Sequence, residues 1–216
     1  MHFKSHANIP VFVPHMGCPH LCVFCDQKSI SGEKDELTPE KAQNQIEEAL
    51  STLQGRRAEI AFFGGSFTAI EREKMIAFLA LASSYLKSGR VSGIRLSTRP
   101  DCVDEEILDI LSFYGVSAVE LGVQSLDEEV LKASGRGHSV KDTADACARI
   151  KQRGCFLLGC QMMLGLPAST REKELLTARE ICRMGADCTR IYPTVVLKDT
   201  PLEALWKKGL YRPLSR

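Results

Sequence analysis

The sequence lacks the features that mark several classes of protein. No apolar run approaches the length needed to span a bilayer, and residues 1–10 do not have the basic-then-apolar pattern of a secretion signal. There is also no excess of charge of one sign, because 28 Lys and Arg residues stand against 27 Asp and Glu residues. The net charge of +1 creates no general field that attracts a polyanion. We therefore expect a cytoplasmic protein with no membrane partner, which would recognise any nucleic acid through local features.

No fixed repeat, low-complexity segment or linker rich in Pro, Gly or Ser divides the chain. The 216 residues, 44% of them hydrophobic, are enough for one domain with a sizeable core. Nine cysteines fit a reducing compartment, where they serve as thiols, metal ligands or small core residues. Their odd number argues against a full disulfide framework.

Short apolar segments of β-type alternate with longer amphipathic segments along the chain. Strands are predicted at residues 9–13, 59–63, 93–98, 118–123, 156–163 and 189–192. Helix N-caps are predicted at Thr38, Asp104, Ser125, Ser139 and Ser169. Repeated β-then-α units imply a parallel sheet, either doubly wound or barrel-like. Because a full eight-unit barrel takes about 250 residues, we expect an α/β partial TIM barrel of about six parallel β/α units.

Strand alternation places polar side chains on the inner face of the predicted barrel. Charged groups pointing inward are costly unless they are paired, so a cavity for a polar cofactor and substrate is predicted there. Arg95 and Glu120 should pair inside it, unless the two faces of the sheet are reversed. The inward-facing residues are Arg95, Ser97, Arg99, Glu120, Gly122, Gln124, Gln161, Met163, Arg190 and Tyr192.

Three cysteines follow the first predicted strand within eight positions, namely Cys18, Cys22 and Cys25. Thiolates so close in one loop can converge on a single metal centre. Three protein ligands on a 4Fe–4S cluster leave one iron open to a substrate or cofactor, whereas clusters that transfer electrons usually have four. A structural zinc site with His15 or His20 as fourth ligand is the alternative.

The spacing of these cysteines, and the aromatic Phe24 before the last of them, resemble the motif of the radical S-adenosylmethionine (radical SAM) superfamily. The resemblance implies a 4Fe–4S cluster on the three cysteines, with S-adenosylmethionine as a second cofactor and Phe24 beside its adenine. Gly64-Gly65-Ser66, at the end of the second strand, resembles the glycine pair with which this superfamily binds the methionine amino group.

Further segments resemble the catalytic subunit of Elongator. They are residues 97–101 (STRPD), 120–125 (ELGVQS), 136–140 (RGHSV), 162–167 (MMLGLP), 192–196 (YPTVV) and 205–211 (LWKKGLY). This resemblance implies modification of the wobble uridine of transfer RNA (tRNA) at C5, with tRNA and a reductant protein as partners. That family continues into an acetyltransferase domain and has a basic extension before its first cysteine, and neither is present in this sequence. We therefore expect residues 1–216 to form a radical SAM core domain, incomplete at its C-terminal side relative to that family.

Oxygen-independent coproporphyrinogen oxidases share the strand that ends at Gln124, the following Arg136 and the Gly-Leu-Pro turn. Their likeness places Gln124 and Arg136 at the ribose and carboxylate of the cofactor. Ser97 stands where these relatives often carry Glu, and Met163 is a further expected cofactor contact at a strand end. A porphyrinogen-type enzyme for small molecules, or a non-catalytic iron–sulfur and SAM-binding module, are the alternative functions.

Overall fold

A computed structural model of the chain describes residues 6–13, 18, 22–26, 37–53 and 56–214. Its strands form one parallel sheet in chain order, each pairing with the next. This architecture confirms the predicted partial barrel. The strands are β1 (Ala7–Val13), β2 (Ala58–Gly64), β3 (Gly93–Thr98), β4 (Ala118–Gln124), β5 (Leu157–Leu164) and β6 (Cys188–Pro193).

Helices of the described ranges lie between successive strands and cover the convex face of the sheet, except the last helix, which follows the last strand. None of them is long and apolar enough to cross a membrane. They are α1 (Pro39–Thr52), α2 (Arg72–Lys87), α3 (Glu105–Phe113), α4 (Glu128–Ala133), α5 (Val140–Arg153), α6 (Arg171–Arg183) and α7 (Pro201–Lys207).

Three of the predicted N-caps are confirmed. The side chains of Thr38 and Asp104 each accept a hydrogen bond from the backbone of the first turn of their helix. Ser139 forms a reciprocal capping box with Asp142 at the start of α5. These caps satisfy backbone N–H groups that have no partner within the helix.

Two predicted N-caps are wrong by one or two positions. Helix α4 is capped by Asp127 rather than Ser125, whose hydroxyl accepts from the backbone N–H of Asp127 just before the helix. Helix α6 is capped by Thr170 rather than Ser169, because the Ser169 hydroxyl donates to Glu174 at 3.1 Å. Adjacent residues with capping side chains compete, and local sequence does not decide between them.

The apolar core lies between the convex face of the sheet and the helices. Alternate residues of β2, β3 and β4 face this layer, as their period of two requires. Phe62 stacks on Phe67 with ring centroids 4.5 Å apart, just after β2 ends. This packing fixes the sheet and leaves its concave face to polar residues. Fully buried strand residues include Ile60, Phe62, Ile94, Leu96, Val119, Leu121 and Val123.

Candidate active site

A cavity of about 200 Å³ opens at the carboxyl ends of the strands. In parallel α/β folds this edge is where ligands bind. Ten of the eleven predicted site residues line this cavity. Met163 is the exception: it is half-buried on β5 and does not line the cavity, so its role stays a prediction. The lining residues are Cys18, Cys22, Phe24, Cys25, Gly64, Gly65, Ser66, Ser97, Thr98, Arg99, Gly122, Gln124, Arg136 and Gln161.

The loop that carries Cys22 and Cys25 is held by backbone hydrogen bonds at Val23. Its N–H donates to the carbonyl of Ser134 at 3.1 Å, and its carbonyl accepts from the N–H of Leu202 at 2.9 Å. Leu202 is the second residue of α7 and is fully buried. Two distant parts of the chain therefore fix the position of this loop.

The three cysteine side chains meet different groups of the cavity. The Sγ of Cys22 accepts a hydrogen bond from Nη1 of Arg136 at 3.2 Å, and the Sγ of Cys18 lies 3.8 Å from the Oγ of Ser66. Burial, together with the nearby Cys22 and Cys18, raises the pKa of Cys25 to about 11. At neutral pH the Cys25 thiol thus keeps its proton, and a metal that binds it must displace that proton.

The backbone at the glycine pair comes close to the first strand. Gly64 has a φ of +111°, and a Cβ built on it would lie 2.8 Å from the carbonyl oxygen of Val13. The N–H of Gly65 donates to that same carbonyl at 2.8 Å. The turn therefore requires glycine at position 64 and brings backbone to the wall of the cavity.

Two side chains of the cavity wall have buried polar atoms with no partner. They are Oε1 of Gln124 and Nε of Arg136. Gln124 also has a φ of 64°, a conformation that is strained for a residue other than glycine and that clusters at functional sites. An unsatisfied acceptor and an unsatisfied donor in one cavity fit a ligand that itself carries donors and acceptors, as S-adenosylmethionine does.

The polar inner face of the sheet lies next to this cavity, centred on the buried carboxylate of Glu120. Its oxygens accept from Arg95 at 2.9 Å, from Arg190 through two nitrogens at 2.9 Å, and from the amide of Gln161 at 3.1 Å. The predicted inward pairing of Arg95 with Glu120 is confirmed. Two cations around one carboxylate offset the cost of burying it.

Several residues at the site have no role predicted from the sequence. Thr98 is linked to Thr68 by a hydroxyl contact of 2.6 Å, and the buried guanidinium of Arg99 binds both carboxylate oxygens of Asp101. His138 is also buried, and burial, with Arg136 and Arg99 nearby, lowers its pKa to about 4. Strand alternation had put Arg99 on the inner face, but nothing local marked His138 as buried.

The three cysteines of the predicted metal site line one cavity. Within the described ranges, no three Cys, His, Asp or Glu side chains are grouped closely enough to hold a single ion. Ligands of an iron–sulfur cluster each bind a different iron and need not converge on one point. The alternative zinc ligands, His15 and His20, lie outside the described residues.

Comparison with known proteins gives a consistent set of relatives. Residues 12–181 match the sequence model of the radical SAM superfamily. An uncharacterized protein of Methanocaldococcus jannaschii is 32% identical, over 96% of this chain and 67% of its own length. A tRNA uridine(34) acetyltransferase of Dehalococcoides mccartyi is 28% identical, over 95% of this chain and 52% of its own length.

Two solved structures resemble the fold of this chain. The archaeal Elp3 of Methanocaldococcus infernus, with an N-terminal deletion, superimposes with a TM-score of 0.74 at 26% identity. That match covers 97% of this chain and 50% of the other. Coproporphyrinogen III oxidase of Escherichia coli, at 18% identity and a TM-score of 0.64, shares the fold. The chain thus spans about half the length of the Elp3-type relatives.

Proposed function

Since this chain belongs to the radical SAM superfamily, we propose that Cys18, Cys22 and Cys25 bind a 4Fe–4S cluster beside S-adenosylmethionine. The observation that carries the proposal is a shared location. The cysteines, the glycine pair, Gln124 and Arg136 all line one cavity at the carboxyl ends of the strands. Residues far apart in sequence are thus assembled where this fold places its chemistry.

A reduced cluster in this cavity would supply the electron that cleaves S-adenosylmethionine to a 5′-deoxyadenosyl radical, which takes hydrogen from the substrate. The residues of the chain bind and orient the cofactors and shield the reaction from solvent. Arg136 fixes the Cys22 sulfur and offers a buried cation to the cofactor carboxylate. The unpartnered Oε1 of Gln124 accepts from the ribose hydroxyls, and Phe24 packs by the adenine.

The proposed substrate is tRNA, modified at C5 of its wobble uridine, with a protein reductant for the cluster. The name of the D. mccartyi relative, a tRNA uridine(34) acetyltransferase, supports this assignment. So does the order of the Elongator-like segments along the chain. Because the chain spans only half of those relatives, the proposal extends to the radical step and not to acetyl transfer.

Anaerobic reconstitution followed by reduction tests the cofactor part. We expect about one 4Fe–4S cluster per chain, and 5′-deoxyadenosine from added S-adenosylmethionine. Cys18→Ala, Cys22→Ala and Cys25→Ala should each lose both, whereas the exposed Cys182→Ala is the matched control and should lose neither. Stoichiometric zinc without a cluster would overturn the proposal, and a cluster without 5′-deoxyadenosine would make the chain a binding module.

A salt series tests the RNA part. Binding of tRNA should weaken by roughly 0.7 log units per phosphate contact for each log unit of salt. Charge reversal at the exposed Lys207 and Lys208 should weaken binding to every RNA sequence alike. Binding that is independent of salt, with cleavage of S-adenosylmethionine unaffected by tRNA, would favour a small-molecule substrate instead.

A further inference from the structure

A second cavity, of about 280 Å³, adjoins the cofactor cavity on the concave face of the sheet. The two cavities share Gly64, Ser97 and Gln161. Phe63, Arg190 and Tyr192 complete the lining of the second one. A ligand bound here would lie directly beside the proposed cofactors, and the volume is just below the range for small-molecule sites, about 300–1,000 Å³.

Arg190 forms a fixed planar surface in this cavity. Its Nε and Nη2 each contact Glu120 at 2.9 Å, and the guanidinium lies 5.3 Å from the ring centroid of Phe63. The side chain is therefore held between a buried carboxylate and an aromatic face. Glu120 takes two of the five N–H groups of the guanidinium and Tyr192 forms a further side-chain hydrogen bond with it, so N–H groups remain to donate to a ligand. Guanidinium and aromatic planes are also surfaces on which nucleobases stack.

Gln161 and Ser97 present a fixed pattern of hydrogen-bonding groups. The Gln161 amide nitrogen donates to Glu120 and to Ser97, each at 3.1 Å. A carboxylate only accepts, so the amide cannot be turned the other way around. The Gln161 oxygen is then the group that accepts from a ligand. The Ser97 oxygen receives the amide hydrogen and can donate its own.

We propose that this second cavity holds the uracil ring of the substrate, an inference that rests on the proposed function. Ser97 as donor, Gln161 as acceptor and Arg190 as donor complement the edge of uracil, which reads acceptor, donor, acceptor from O4 through N3–H to O2. Cytosine has an amino donor and a bare ring nitrogen at the first two of these positions, so two of the three contacts would be mismatched.

Equilibrium binding to base-substituted RNA tests the assignment. The probe is a fluorescent RNA hairpin with one uridine in its loop, compared with the same hairpin carrying cytidine, on reconstituted protein with S-adenosylmethionine. We expect the wild type to prefer the uridine hairpin by about tenfold, within the range of one good set of base contacts. Gln161→Leu and Arg190→Gln should each bring this ratio close to one.

The matched control is Arg153→Gln, which removes the same charge from α5 on the helical face of the sheet. It should lower affinity for both hairpins equally or not at all, and keep the preference. Arg190→Lys keeps the charge but loses the planar fork, and it too should lose the preference. Circular dichroism and thermal unfolding identify any variant that fails to fold.

Two results would overturn the inference, namely equal wild-type binding of the two hairpins, or a uridine preference that persists in folded Gln161 and Arg190 variants. Uridine and cytidine monophosphate, measured in the same way, distinguish RNA from a free nucleotide as the source of the ring. Formation of 5′-deoxyadenosine without RNA is scored separately. If no 5′-deoxyadenosine forms, the proposed radical chemistry is contradicted. A uridine preference that depends on Gln161 would still support the base site in that case.

Discussion

Arg136 donates a hydrogen bond from Nη1 to the Sγ of Cys22 at 3.2 Å, and both residues are buried. They are 114 residues apart in the chain, so this contact joins the segment after β4 and its following helix to the cysteine loop. A donor and a positive charge beside a cluster ligand favour the more negatively charged, reduced state of the cluster.

We therefore predict that Arg136→Met makes the reduction potential of the reconstituted cluster more negative. A redox titration monitored by electron paramagnetic resonance measures the shift directly. The same substitution at Arg153, which contacts Glu105 on the helical side, should leave the potential unchanged. A potential that stays the same or rises in Arg136→Met would contradict the assigned role of this hydrogen bond.

Glu120→Gln should destabilise the fold. Its buried carboxylate faces Arg95 and Arg190, and removing one member of a buried ion pair typically costs about 3–5 kcal/mol when the other charge is left unpaired. Arg95 keeps its pair with Glu59 at 2.7 Å and Arg190 is partly exposed, so we expect a loss below that range but above that of a surface pair. The free energy of unfolding from urea denaturation measures the loss. Glu105→Gln, which breaks an exposed pair with Arg153, should change that free energy little. Similar values for the two variants would show that the Glu120 network contributes no more than a surface ion pair.

His138 should make stability depend on pH. Its Nε2 lies 3.3 Å from the carbonyl of Val123, so Nε2 carries the hydrogen and the buried Nδ1 is left without a partner. The folded-state pKa of about 4 lies below the ordinary value of 6.5, so the unfolded chain takes up a proton first as the pH falls. Stability should thus decrease between pH 6.5 and pH 4, with no further contribution from His138 below that.

The measurement is the free energy of unfolding at pH 7 and at pH 5, in the wild type and in His138→Gln. The wild type should lose roughly 2 kcal/mol more than the variant over this interval. Carboxylates titrate in both proteins and cancel in the difference. If the wild type loses no more free energy of unfolding than His138→Gln, then His138 also takes up its proton in the folded state between pH 7 and pH 5.

Gly64→Ala should impair both stability and binding of S-adenosylmethionine. The positive φ costs about 1–3 kcal/mol for a residue with a side chain, and the new Cβ would lie 2.8 Å from the Val13 carbonyl. Gly89→Ala is the control, since its φ of +72° is also positive but no atom lies within 4 Å of the added Cβ. Thermal unfolding and ligand titration should show the larger effect at Gly64. Equal effects at the two glycines would show that the close approach of Gly64 to β1 affects neither stability nor ligand binding.

Much of the fold followed from local sequence, because strand periodicity and capping residues act over short distances. The bounds of the strands were predicted to within a few residues. The position of Arg95 and Glu120 on the inner face was also predicted. The contact of Arg190 with the Phe63 ring was not predictable, since it depends on the curvature that brings β6 towards β2. Burial of His138 likewise depends on how the segment after α4 packs beneath the site.

The hydrogen bond from Leu202 to Val23 has a consequence for the order of events during synthesis. The cysteines leave the ribosome early, but the segment that supports their loop through Leu202 is made nearly 180 residues later. Until then Val23 lacks one of the two backbone partners that fix it. The complete scaffold around Cys22 and Cys25 thus exists only after Leu202 has been synthesised, so iron–sulfur insertion into the finished loop is expected to follow the translation of that segment.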